Sequence, residues 1–158
     1  MLNLEYYAKN SRWGPNHLIF SSWDEYWKTL GYLSNPNIHR YNNRNANMNI
    51  MYERNSQTNS YSDTSRIYYY GNGRRFSNEF PALYSIARSS RGSETFRINR
   101  KEFGETLMYD LGFEIRDTGG KDGVLLPPTD INQVLNRIQR VPNFNQNAWN
   151  EGYNLGNL

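Results

Sequence analysis

The sequence predicts an α+β fold, and three observations carry that expectation. Amphipathic stretches with helical spacing are separated by short aromatic and β-branched runs bounded by glycine. Two of those runs contain hairpin patterns, and the helical stretches between them carry capping residues at their starts. Finally, 4 Trp, 13 Tyr and 7 Phe among 158 residues supply large buried areas in a chain with only 37% hydrophobic content. A chain of this length buries about two-thirds of its unfolded surface and needs no disulfide or metal to close a core. It has no cysteine.

Taken in order, Ser22-Trp-Asp-Glu25 has the capping-box spacing, and Trp23, Tyr26, Trp27 and Leu30 recur on one helical face, which predicts a helix over 22–31 stopped by Gly31. From Asn35 to Ser65 the composition turns to Asn, Ser, Arg and Tyr, either a long polar excursion or short exposed strands such as 49–54. Arg66 to Phe76 reads as strand, turn and strand, with Asn72-Gly73 as the type I′ signal. Ser77 caps an expected helix to about Ser90 that faces inward with Phe80, Leu83, Tyr84 and Ala87. Thr95 to Asn99 follows as a short strand. A helix from there to about Leu111 buries Phe103, Leu107 and Leu111 and is stopped by Gly112. Phe113–Asp117 and Gly123–Pro127 form a second hairpin, and Asp130–Arg140 a last helix that buries Ile131, Val134, Leu135 and Ile138. Residues 1–141 are therefore expected as one domain, with 142–158 as an Asn- and Gly-rich aromatic tail.

Charge is segregated along the chain. Between Arg66 and Lys101 lie eight basic residues, Arg66, Arg74, Arg75, Arg88, Arg91, Arg97, Arg100 and Lys101, against the two acidic residues Glu79 and Glu94. Guanidinium groups suit bidentate phosphate contacts and stacking on bases, and the interleaved rings of Tyr68 and Tyr70 offer the flat faces on which single-stranded nucleic acid stacks. The expected partner is DNA or RNA, bound without catalysis by those basic residues together with Tyr68, Tyr70 and Lys121. A basic strand can also be an ordinary solvated face. A second reading is a structural or assembly protein, a viral or phage component, that forms a homo-oligomer through Phe144, Trp149 and Tyr153 in the tail.

The sequence from Arg97 to Phe113, Arg-Ile-Asn-Arg-Lys-Glu-Phe-Gly-Glu-Thr-Leu-Met-Tyr-Asp-Leu-Gly-Phe, followed by the Gly-rich segment Thr118–Gly123 with Lys121, resembles the C-terminal winged-helix segment of phage and poxvirus-type primase-helicases. The resemblance covers 77–127 and implies a winged-helix-like core with an accessory nucleic-acid-binding role. The chain departs from that family in its helix after the short strand, which exposes Glu102, Glu105, Thr106 and Tyr109 where a groove-binding helix would be basic. Phosphate contacts are thereby moved to the Arg-rich hairpin, Arg88, Arg91 and Lys121.

Catalytic patterns are sparse. His17 and His39 belong to no metal-ligand spacing, no Lys has an acidic residue two positions before it, and Gly119-Gly-Lys-Asp-Gly123 lacks the spacing of a phosphate-binding loop. No metal or cofactor is expected. A third reading, a small metal-independent nuclease-type toxin, would use His39. No apolar run has the length of a signal peptide or membrane span, and none of the 23 Asn opens an N-x-S/T site. The expected location is cytoplasmic, within a host or in a virion, with no membrane partner.

Overall fold

The computed structural model describes residues 17–20, 22–39, 49–54, 67–71, 74–76, 96–119 and 122–157. Their elements, in chain order, are β1 (His17–Phe20), α1 (Trp23–Leu33), a 3₁₀ turn (Pro36–Ile38), β2 (Asn49–Tyr52), β3 (Ile67–Gly71), β4 (Arg74–Phe76) and β5 (Phe96–Asn99). Then follow α2 (Arg100–Glu105), which widens into a π-helical turn over Thr106–Asp110, β6 (Glu114–Asp117), β7 (Gly123–Leu126), α3 (Ile131–Ile138) and α4 (Gln146–Leu155). This is the α+β class. The expected helix over 77–90 and the turn at Asn72-Gly73 lie outside the described residues.

Helix α1 starts where the capping box sets it, with Ser22 Oγ accepting from the Glu25 N–H at 3.1 Å and with Asp24 and Glu25 against the positive end of the helix dipole. It does not stop at Gly31. The helix runs on to Leu33 because Gly31 serves packing here: a Cβ at Gly31 would collide with the carbonyl oxygen of Trp149 on α4. Ser34 ends the helix instead, its N–H bonded to the Leu30 carbonyl at 3.0 Å. By contrast Gly112 does follow the end of the π-helical turn that continues α2, at a φ of +83° where a side chain would be strained.

All strand pairs among the described residues are antiparallel. Five strands form one sheet in the order β4-β3-β2-β7-β6, and β1 pairs with β5 in a separate two-stranded sheet. Strand β1 had no counterpart in the sequence reading, yet Leu18 and Phe20 are fully buried. Strand β2 corrects another expectation. It is the middle strand of the larger sheet, and Ile50 and Tyr52 face the core, so it is far from an exposed strand. The strand–helix–hairpin order of the winged-helix segment is present, but β5 pairs with β1 while the β6–β7 hairpin extends the sheet from β2.

The core joins one face of the sheet to the helices through Phe20, Trp27, Leu30, Phe103, Leu107, Leu111, Val134, Ile138 and Trp149. Phe103, Leu107 and Leu111 are buried as their spacing predicts; Ile131 and Leu135 of α3 are only half-buried. The tail is not a loose extension. Helix α4 lies along α1, tied by Lys28 to Glu151 at 3.1 Å and by Trp27 Nε1, which donates to the Asn143 carbonyl at 2.7 Å. The interface role expected for Trp149 is corrected accordingly, since it is 2% exposed; half-buried Tyr153 stacks on it at 5.2 Å, and half-buried Phe144 meets the Trp27 ring edge at 4.8 Å. These rings are used inside their own chain, where burial of each removes a large apolar area from water.

Asn145 holds the start of α4 twice, accepting from the Ala148 N–H at 3.1 Å and donating to Asp24 Oδ1 at 3.0 Å. Asn145→Ala is expected to cost about 1 kcal/mol through the lost cap. The measurement is the urea midpoint at unchanged slope, and an unmoved midpoint would show the cap to be idle.

Candidate nucleic-acid interface

The sheet register sorts its residues into two faces. Asp117, Gly123, Tyr52 and Ile67 form one row across the strands, and Ile115, Leu125, Ile50, Tyr69 and Phe76 another; Ile50, Tyr52, Ile67, Gly123 and Leu125 among them are buried, so this is the core face. Side chains alternate along a strand, so the intervening rows belong to the outer face. One of these is Arg116, Val124, Met51 and Tyr68. The next carries Glu114 and Leu126 on the hairpin, then Asn49, Tyr70 and Arg75. The register thus puts positions 68, 70 and 75 on one face and position 74 on the other. Arg116 and Glu114 are exposed on β6, Met51 and Asn49 are half-buried, and Val124 is buried at the centre of the face.

Among the described residues, the basic positions 97, 100 and 101 lie elsewhere. Arg100 is corrected outright: it is 2% exposed, and its Nη1 points at the Ile67 carbonyl oxygen, 3.5 Å away, where no phosphate reaches it. Lys101 is half-buried and lies 3.6 Å from Glu105, one helical turn on, which lowers its value as a phosphate contact. Arg97 occupies β5, opposite Ile19 in the two-stranded sheet. Arg66, Arg88, Arg91 and Lys121 lie outside the described residues. Of the basic positions expected between 66 and 101, the described structure thus withdraws Arg100 and leaves position 75 on the sheet face that carries exposed Arg116.

The hairpin end of that sheet is clamped by a carboxylate cluster. Arg54 pairs with Asp117 at 2.8 Å, and its N–H donates to Asp122 Oδ1 at 3.0 Å. Asp117 also accepts from the Gly119 N–H at 2.8 Å, and Thr118 Oγ1 donates to the Asp122 carbonyl at 2.8 Å. The Arg54 hydrogen bond, followed by that of Gly119, holds the Asp117 carboxyl below its ordinary range. These contacts tie β6, which carries Arg116, to the segment after β2. The sequence contained a signal for Arg116, since Ile115 pointing inward requires its neighbours to point outward.

His39 is enclosed, 1% exposed, which removes it from contact with a substrate. Its Nε2 lies 2.7 Å from the Leu33 carbonyl oxygen, an acceptor only, so Nε2 carries the proton and donates. Burial, the dominant effect, pushes its pKa down to about 4. The ring is therefore a neutral packing element at neutral pH. Among the described residues there is no group of three His, Cys, Asp or Glu side chains that could hold a metal ion. Among the same residues no helix is long and apolar enough to cross a membrane.

No protein-family model, curated protein or solved structure matches this chain.

Proposed function

We propose that the protein binds single-stranded nucleic acid across the outer face of its five-stranded sheet without chemically altering it. Tyr68 and Tyr70, two residues apart on β3, act as the stacking platform for bases. Arg75 on β4 and Arg116 on β6 hold phosphates at the two margins of the sheet. Those strands are four spacings apart, about 19 Å, so the strand is gripped at both ends of the platform. The observation that supports this reading is the antiparallel register, which aligns positions 68, 70 and 75 with exposed Arg116 on the face opposite Ile50 and Tyr52. Aromatic rings on a sheet accept any base through its π-face, and guanidinium groups contribute the salt-dependent part of the affinity. From the winged-helix likeness this reading retains the hairpin; the exposed Glu102 on α2 would repel a phosphate backbone.

The test is fluorescence anisotropy with labelled single-stranded DNA and RNA oligonucleotides over a series of KCl concentrations. Affinity is expected to fall linearly on a logarithmic scale with salt, and Arg75→Ala and Arg116→Ala are each expected to reduce the slope by about 0.7. Tyr70→Ala is expected to weaken binding by about 1–3 kcal/mol while leaving the slope intact. Affinity that ignores salt, or arginine variants that keep the full slope, would overturn the reading.

A further inference from the structure

A concavity lies away from the sheet face, between α1, the π-helical turn and the segment that follows α3. Its volume is about 280 Å³, and its walls include Trp23, Tyr26, Trp27, Val141 and Pro142, with Asp110 as the one charged residue among the described lining residues. Three of these walls are aromatic rings set nearly at right angles: Trp23 and Tyr26 meet at 5.5 Å and 85°, Tyr26 and Trp27 at 5.1 Å and 76°. The polar atoms of two rings are already engaged. Trp27 Nε1 donates to Asn143, and the Tyr26 hydroxyl bonds to Thr106. Burial, with Asp110 adding to it, pushes the Tyr26 pKa up to about 12, so the phenol keeps its proton and the ring stays neutral.

Asp110 is placed by an unusual backbone feature. The Leu111 N–H donates to the Thr106 carbonyl, five residues back, at 3.1 Å, which widens the last turn of the helix. Such turns recur at functional sites. Asp110 is exposed and has no basic partner among the described residues. The rim is also apolar: among the described residues the exposed large hydrophobic side chains are Trp23 at 43%, Val141 at 38% and Tyr109 at 72%. The first two line the pocket and the third neighbours Asp110 in the same turn.

We propose that this pocket binds an organic cation, an alkylammonium group of quaternary-ammonium size, with its charge against Asp110 and its alkyl surface against the rings of Trp23, Tyr26 and Trp27. The negative faces of aromatic rings attract a cation whose weak hydration lets it leave water, and the carboxylate supplies the full counter-charge. An anion is repelled by both. A neutral group of the same shape gains only the apolar contact. The pocket shares no residue with the outer sheet face, so the two sites stand or fall separately.

The experiment is saturation-transfer NMR on the full chain with choline as probe, its neutral isostere 3,3-dimethylbutanol as the comparison, and a trimethyl-lysine peptide as a further arm. Choline is expected to bind saturably and about tenfold more tightly than the isostere. Asp110→Asn should remove that preference and Asp110→Glu should restore much of it, with the circular dichroism spectrum unchanged in both. Trp23→Ala should weaken choline and isostere alike. Tighter binding of the peptide than of choline assigns the cation to a polypeptide; equal or weaker binding assigns it to a free molecule. Equal binding of choline and its isostere, or a choline preference that survives Asp110→Asn in a folded protein, would overturn the proposal.

Discussion

Gly152→Ala is expected to destabilise the protein by about 3 kcal/mol or more, although the same change in an exposed helix interior normally stabilises by about 1 kcal/mol. The reversal of sign comes from the contact between α1 and α4. A Cβ at Gly152 would overlap the carbonyl oxygen of Lys28 and lie 2.6 Å from its carbon, and a Cβ at Gly31 would overlap the carbonyl oxygen of Trp149 and lie 2.9 Å from its carbon. Each helix therefore places a glycine against the other's backbone, in a reciprocal notch. None of the colliding atoms belongs to a side chain that can rotate away, so the helices must separate. Separation exposes Trp149 and Leu30, now 2% and 0% exposed. Gly31→Ala is expected to behave alike. Gly119→Ala is the control, because at φ +77° with nothing within 4 Å it meets backbone strain alone. Urea unfolding measures all three, and a Gly152→Ala midpoint within error of the parent would show that the helices do not approach as described.

Acidification is expected to remove about 3 kcal/mol of stability through His39 alone. The neutral ring is required in the fold, where Nε2 donates to Leu33 and Nδ1, buried, has no partner among the described residues. Protonation would place a charge beside the Phe113 ring, 6.0 Å away, in a site closed to water. The folded pKa is lowered from 6.5 to about 4, so the unfolded chain takes up the proton first as pH falls. Stability from this group is complete above about pH 6.5, declines below it, and is lost by about pH 4, at about 1.4 kcal/mol per pH unit across the window. The lowered pKa of Asp117 has its loss at lower pH, in and below the ordinary carboxylate range. His39→Gln should flatten the dependence between pH 6.5 and 4 and leave the more acidic limb in place. A variant with an unchanged slope in that window would assign the titration to other groups.

Helical elements were legible because their apolar residues repeat every three to four positions: Phe103, Leu107 and Leu111 are spaced for one face and are fully buried. Hairpins were legible because both strands and their turn are local in sequence. The order of the larger sheet was not, since β2 pairs with β7, and Met51 meets Val124 across a long separation that no local pattern encodes. Strand β1 was missed for a related reason: Leu18 and Phe20 alternate over only four residues, too few to stand out. Gly31 was read as a helix stop because glycine at a helix end usually is one, and only the approach of α4 reveals its other use. In the tail, Trp149 and Tyr153 are one helical turn apart, but their Asn-rich surroundings made the segment look polar. For the candidate interface, sequence can report that Arg100 is cationic but not that the fold encloses it beside Ile67. The alternation of Ile115 with Arg116, by contrast, was readable and points to the outer face.

The most direct test of the nucleic-acid reading is ultraviolet crosslinking of the protein to a bromouridine-substituted single strand, with the attached peptides mapped by mass spectrometry. Crosslinks at Tyr68 and Tyr70, on the same sheet face as Arg75 and Arg116, are the predicted result. Crosslinks confined to Trp23 and Tyr109 near the aromatic pocket, or none at an oligonucleotide concentration that saturates anisotropy, would contradict it.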